Sequence, residues 1–359
     1  MANDDGLHAV SVLRSGRPSA LLAQAARRGT LMARAPRKPT SMPLEEKDAL
    51  HRHIVFRCAV LSAIAIAAWN EMPAAAAADS ERCQELGRRL EIAKPQITAI
   101  EVSLTLFSAV DGNCLGLAAD LLDHGASVDA RDRLGARPLG HAAKSGHLEM
   151  VDLLLARGAP IDARNLAGAT ALFSAAEAGH AAVVQRLIER GADVSLTGRS
   201  GISPIAAAAY VGNDAIVEAL LAHGADERAA DDTGKPPIVY AAAGARLDIV
   251  KRLLARNIDI NARYPNDLTL LMWASGPDEQ APETQAVAVV GYLLDAGAAI
   301  DDRDDRGRTA LMIAAEGGHA EIANLLLARG ADPALEDKGG KRAADLTRLT
   351  ALRDKLTPR

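Results

Sequence analysis

A period of 33 residues governs this chain. Gly135, Gly168, Gly201, Gly234 and Asp267 follow one another at steps of 33, then Gly307 comes after 40 and Gly340 after 33 more. A second series, Gly125, Gly158, Gly191, Gly224 and Asn257, keeps the same step, and Gly297 and Gly330 repeat the 40 and the 33. Two independent landmarks share one period and one insertion of seven, which makes the repeat a unit of structure.

The stretch from Asp304 to Glu336 shows what one unit contains. Leu311, Ile313, Ala314 and Ala315 predict a first helix with a small-residue apolar side, and Ile322, Ala323, Leu325, Leu326 and Leu327 predict a second, with a Gly-Gly corner between them. Helices under about 12 residues are not stable alone in water, so their apolar faces must be covered by neighbouring units. The glycine of each exit loop suits a left-handed helix stop, and Asn257, the one exception among them, is the usual second choice. Aromatic residues make up 3% of the chain against 49% hydrophobic, so the expected core is aliphatic and thin, built for close helix packing.

Read as text, ARPLGHAAKSGHLEMVDLLLARGAPIDAR (136 to 164), GATALFSAAEAGHAAVVQRLIERGADV (168 to 194) and GISPIAAAAYVGNDAIVEALLAHGAD (201 to 226) resemble the ankyrin-repeat family, in the style of bacterial exported members. The resemblance covers roughly residues 99 to 350. It implies an all-α solenoid of helix-turn-helix repeats of 33 residues joined by β-hairpin-like loops, over 99–359, with about eight units of which the first and last are degenerate. The sequence departs from the family at one place. Where the family has the His of Thr-Pro-Leu-His, this chain has Gly140, Phe173, Ala206, Val239, Met272 and Met312, so stability is expected to lean on apolar packing. The sixth unit carries the insertion, Gly276 to Gln285, between its helices, and also holds Trp273.

Ahead of the repeats the text is different. Residues 1–41 scatter Arg14, Arg17, Arg27, Arg28, Arg34, Arg37 and Lys38 among Ser, Pro and Ala without apolar period, and are read as disordered or as an upstream over-read. Arg27-Arg28 is too far from any apolar run to serve as a twin-arginine signal. Residues 42–78 hold a basic region with Arg52 and Arg57, an apolar run from Cys58 to Trp69, and an alanine-rich site from Ala74 to Ala78. These are the three parts of a secretory signal peptide, with cleavage expected after Ala76, Ala77 or Ala78. The apolar run is shorter than the roughly 20 residues needed to span a bilayer, so no stable membrane insertion is expected after cleavage. The alternative is a buried N-terminal helix on a cytoplasmic protein. Residues 79–98 are read as an N-terminal capping helix.

Residues 1–78 hold ten of the chain's 41 Lys and Arg and six of its 46 Asp and Glu, leaving the remainder at a net charge of minus nine. A mildly acidic body argues against nucleic acid as a partner. Cys83 and Cys114 both survive cleavage, and an even pair in an oxidising compartment invites a disulfide; two buried free thiols are the other reading.

No residue pattern points to chemistry. His147, His180 and His319 recur one unit apart on different turns, where they serve the helix corner and not a metal site. The run Asp301 to Gly307 fails as a calcium loop because Arg303 and Arg306 stand at ligand and glycine positions, and a solvated turn is expected. Gly-x-Ser-x-Gly, phosphate-cradling and zinc spacings are missing from the text, so neither catalytic residues nor a cofactor are expected.

The resemblance implies instead a monomeric, non-catalytic module that binds a protein partner on a concave face. The positions left free for contact are Arg133, Leu134, Lys144, Leu166, Glu177, Arg199, Ile202, Tyr210, Asp232 and Lys235, with Leu134, Ile202 and Tyr210 as exposed anchors. The expected location is periplasmic or secreted. A secreted effector binding host proteins and a cytosolic or inner-membrane-associated scaffold are the alternatives.

Overall fold

A computed structural model describes residues 81–89, 98–278 and 281–357. The signal peptide expected over 42–78, the segment 1–41 and part of the insertion, residues 279–280, lie outside the described residues. The chain divides into two units, one of which runs from Arg89 to Arg359 and carries the repeats. A helix over residues 81–89 stands at that boundary and is described by itself: Glu85 and Arg88 pair on its surface at 3.2 Å, and Cys83 is part-buried.

The repeat unit is a succession of helix pairs. They are α1 (Ala99–Asp111) with α2 (Leu115–Asp123), α3 (Pro138–Ser145) with α4 (Leu148–Ala156), α5 (Ala171–Ala178) with α6 (Ala181–Glu189), and α7 (Pro204–Val211) with α8 (Asp214–Ala222). There follow α9 (Pro237–Ala243) with α10 (Leu247–Leu254), α11 (Leu270–Ser275) with α12 (Glu283–Asp295), α13 (Ala310–Gly317) with α14 (Ala320–Ala328), and the closing α15 (Ala343–Leu346) with α16 (Thr350–Leu356). The first helices pack on one another in chain order from α1 to α15, and the second helices from α2 to α14 form a parallel layer behind them. The described residues contain no strand.

Local chemistry sets where these helices begin and end. Thr170, Ser203, Thr269 and Thr309 cap the first helices, each hydroxyl accepting from the amide three residues on, a cap worth about 1 kcal/mol. The amide that each of these caps accepts from belongs to the residue that replaces the family histidine. Phe173, Ala206, Val239, Met272 and Met312 are all buried there, filling the space with apolar atoms. Gly140 is the exception, and an added Cβ at that position would meet open space.

A ladder of side chains ties the second to fifth units each to the one before it. His147 bonds the Val110 carbonyl at 3.0 Å, His180 the Lys144 carbonyl at 3.0 Å, Asn213 donates to the Gly179 carbonyl at 2.9 Å, and Arg246 to the Tyr210 carbonyl at 3.0 Å. All four stand at the corner between first and second helix and reach a carbonyl at the end of the preceding first helix, where intrahelical partners run out. His147 and His180 are thus inter-unit rungs. Burial lowers the pKa of His319 at the same register, against the opposing effect of Glu283.

The loops between units are closed by an acidic or amide side chain. Asp132 accepts the amides of Leu134 and Ala136 at 2.8 Å each, and Asn165, Asp231, Asp304 and Asp337 repeat the arrangement. Adjacent tips are joined by single backbone bonds, Leu166 to Leu134 at 2.9 Å and Asp232 to Ser200 at 3.0 Å. The expected solvated turn at Asp301 to Gly307 needs a correction at its centre. Asp304 is buried, held by the Arg306 and Arg308 amides and by the Arg308 guanidinium at 3.2 Å. Among the described residues no group of three or more His, Cys, Asp or Glu could hold a metal ion, and no helix is long and apolar enough to cross a membrane.

Cys114 is the N-cap of α2 and is buried. Cys83 and Cys114 are each disulfide-bonded in the structure.

Candidate interaction surface

Because the tips are locked by their Asx residues, the side chains between Asx and glycine are pushed outward. Leu134 is 69% exposed and Leu166 is 81% exposed, and the backbone bond between their tips holds the two side by side. An added Cβ on Gly135 would come within 3.0 Å of the Leu166 side chain, so this glycine, at φ +71, is required both for its conformation and for the approach of the next tip. Arg133, Lys144 and Asp232 are also exposed.

The remaining expected contact residues do not stand free. Lys235 is only 6% exposed. Its ammonium lies 5.9 Å from the centre of the Tyr240 ring and 5.7 Å from that of Trp273, where ring faces attract the cation. Tyr210 is half-buried and donates its hydroxyl to Asp278 of the inserted segment at 2.7 Å. Glu177 and Arg199 are half-buried and pair with each other at 2.8 Å. Ile202 is part-buried, as are Ala136 and Ala169 at the same register after the tip glycine, and its carbonyl accepts from the Gly198 amide as the matching carbonyls do in the other tips. Lys235, Tyr210 and the Glu177–Arg199 pair share one cause: long side chains reach across the first-helix face and find partners one or two units away.

Three residues that matter on this face were not singled out as contacts from the sequence: His141, Tyr240 and Trp273. They occupy one register, 33 residues apart in the case of Tyr240 and Trp273, in the row that also holds Ser174 and Ala207. Reading that row by the period would have found them. Tyr240 donates its hydroxyl to Asp231, and burial followed by this bond pushes its pKa up. Burial likewise raises Tyr210, with Asp278 adding to it. Burial works against the Asp231 carboxylate, yet the bonds from Tyr240, Lys235 and Thr233 outweigh it and leave its pKa below the ordinary carboxylate range. The Trp273 indole nitrogen and the Tyr264 hydroxyl are buried without a hydrogen-bond partner in the structure, and burial pushes Tyr264 up to about 12.

At the other end of the face, His141 is clasped between Asp111 at 2.8 Å and Asp132 at 3.1 Å, with the Phe107 ring 4.9 Å from its own. Beside it opens a cleft of about 330 Å³, walled by Leu134, Arg137, Gly140, His141, Lys144 and Asn165.

This chain of helix pairs matches the family described as ankyrin repeats in three copies, over residues 106–198 and 195–264. Ankyrin repeats in many copies match residues 293–346. The chain belongs to the ankyrin-repeat family. It is 40% identical over 81 residues to ankyrin repeat domain-containing protein 63 of Mus musculus, a match covering 23% of this chain and 20% of that protein, and the Homo sapiens protein of the same name gives the same figures. This chain therefore spans a fifth of the length of these curated relatives. The crystal structure of the human ASB11 ankyrin repeat domain superposes with a TM-score of 0.54 at 28% identity, over 62% of this chain and all of that one. Ankyrin-repeat domains are in general non-catalytic modules for protein-protein interaction.

Proposed function

We propose that this chain is an exported ankyrin-repeat protein that binds a partner protein through its tips and first-helix face, as a non-catalytic module of the periplasm. The observation that carries the binding surface is the pair Leu134 and Leu166. Two large aliphatic side chains so exposed on adjacent, mutually bonded tips are an apolar patch that folding leaves uncovered. Export is supported by the basic, apolar and alanine-rich succession over 42–78 and by the oxidised state of Cys83 and Cys114. Pairing of these two cysteines with each other is part of the proposal.

Crosslinking and pull-down of the tagged chain from its native compartment tests the binding. A partner recovered with the wild type should be lost when Leu134 and Leu166 are both replaced by Arg, and recovery unchanged by that substitution would remove these tips from the interface. Intact mass of the protein from cells tests export, with cleavage expected after Ala76, Ala77 or Ala78. An uncleaved chain in the cytosolic fraction would overturn it.

A further inference from the structure

The cleft between the second and third units has a specific origin. In the register of the family histidine, units three to seven place Phe173, Ala206, Val239, Met272 and Met312, each buried. The second unit places Gly140, above which an added Cβ would find nothing within 4 Å. A side chain is missing where five neighbouring units have one, and the resulting space opens beside the exposed Leu134. At about 330 Å³ it lies at the lower end of the roughly 300 to 1,000 Å³ typical of ligand pockets, which suits one or two side chains of a partner better than a cofactor.

The charges around the cleft select what can enter. Its carboxylates are already engaged: Asp132 takes two tip amides on one oxygen and His141 on the other, and Asp111 takes the other nitrogen of His141. Arg137 is tied to Asp129 and to the Arg164 carbonyl. Lys144 on the wall and Arg133 next to Leu134 are exposed, and neither has an ion-pair partner among the described residues. The unspent groups are thus two cations and two leucines on or beside a cleft lined in part by Leu134, Leu139, Pro160 and Ala171.

We propose that this cleft receives one apolar side chain of a partner segment, flanked by acidic residues that pair with Arg133 and Lys144. This rests on the reading of the chain as an interaction module and names the site and the chemistry of what it binds. Burying one large side chain in the hole supplies the anchor, and the rim cations set the orientation of the segment and speed its approach.

The test takes the full chain through selection with a random peptide display library, then measures each synthesised peptide by fluorescence polarisation. Selected peptides should carry a large apolar residue with acidic neighbours. Their affinity should fall at least tenfold on Gly140→Leu, which fills the hole, on Leu134→Ser with Leu166→Ser, and on Arg133→Glu with Lys144→Glu, and should be unchanged by Asp232→Lys on a more distant tip. Gly140→Leu should keep or raise the thermal midpoint, because a helical glycine is replaced and its new side chain enters empty space; the exposed leucine pair gives the same answer should that variant misfold. Peptides that bind Gly140→Leu and the leucine variant as well as wild type, or that carry basic flanks, overturn the cleft proposal and leave the interaction reading standing. A chain that selects no peptide above an unrelated control protein overturns both.

Discussion

Tyr210 and Asp278, 68 residues apart, meet at 2.7 Å. The bond fastens the inserted segment of the sixth unit to the end of α7 in the fourth, and the Asp278 amide adds a bond to the Ala243 carbonyl of the fifth at 3.0 Å. The insertion is thereby part of the first-helix face. Tyr210 cannot serve as a free anchor without releasing Asp278, so loss of binding on Tyr210→Ala would report lost structure as well as lost contact.

A double-mutant cycle with Tyr210→Phe and Asp278→Ala should give a coupling of about 1 to 2 kcal/mol in chemical denaturation, the range for a hydrogen bond to a charged group that remains partly solvated. Tyr210→Phe keeps the ring, so its cost should be well below that of Tyr210→Ala. Additive single mutants would mean that the bond contributes nothing.

Phe173 and Gly198 form a second couple. The Phe173 ring fills the histidine register of the third unit, and an added Cβ on Gly198 would lie 2.6 Å from it. This explains why the following tip has glycine where its neighbours have Asp or Asn. Gly198→Ala should cost about 1 to 3 kcal/mol through overpacking. In a Phe173→Leu background the same substitution should cost much less, and equal costs in both backgrounds would disprove the coupling.

The sequence makes the helices and their order legible because the 33-residue period is written twice, once in turn glycines and once in exit-loop glycines. Burial at the histidine register was legible too, since apolar residues occupy it in five units. What could not be read was which exposed-register side chains stay exposed. Lys235 is covered only because Tyr240 and Trp273 lie beneath it, and Tyr210 is tied only because the insertion turns back toward it. Both depend in part on a residue a full unit or more away, Trp273 and Asp278, whereas Leu134 and Leu166 remain exposed because their own tips hold them outward. The cleft escaped notice for a related reason: Gly140 reads as an ordinary substitution until its register is compared with the filled ones.

The tyrosines and Asp231 give the fold a bounded pH range. The folded pKa of Asp231 is depressed, so its contribution is complete above the ordinary carboxylate value, near 3.8, and is lost as pH falls through the lower folded value. Tyr210 and Tyr240 are raised above their ordinary 10.0, so the unfolded chain ionises first and stability falls as pH rises beyond that value. Urea midpoints measured across pH should therefore decline on both flanks. Asp231→Asn should flatten the acid flank and Tyr240→Phe the alkaline one. In a Tyr210→Phe, Tyr240→Phe double variant only a smaller decline from Tyr264, itself raised to about 12, should remain, and an undiminished alkaline decline would assign it to other groups.

The last expectation concerns the cysteines. Cys114 stands at the N-cap position of the second helix of a degenerate first unit, whose α1 leaves Ile100 and Leu104 exposed, so apolar side chains are left uncovered at this end of the stack. A bond from Cys114 to Cys83 would restrict the unfolded chain, and the chain-entropy estimate for a loop of this length is about 3 to 4 kcal/mol. In a repeat stack the gain should appear locally, because each unit is coupled only to its neighbours. Cys83→Ser with Cys114→Ser should accelerate hydrogen exchange across α1 and α2 while leaving α7 to α10 near wild-type protection. Reduction of the wild type should reproduce that pattern. Titration of two free thiols in protein taken from its native compartment, or exchange in α1 and α2 that does not respond to reduction, would remove the pairing from the account of how the first unit is held.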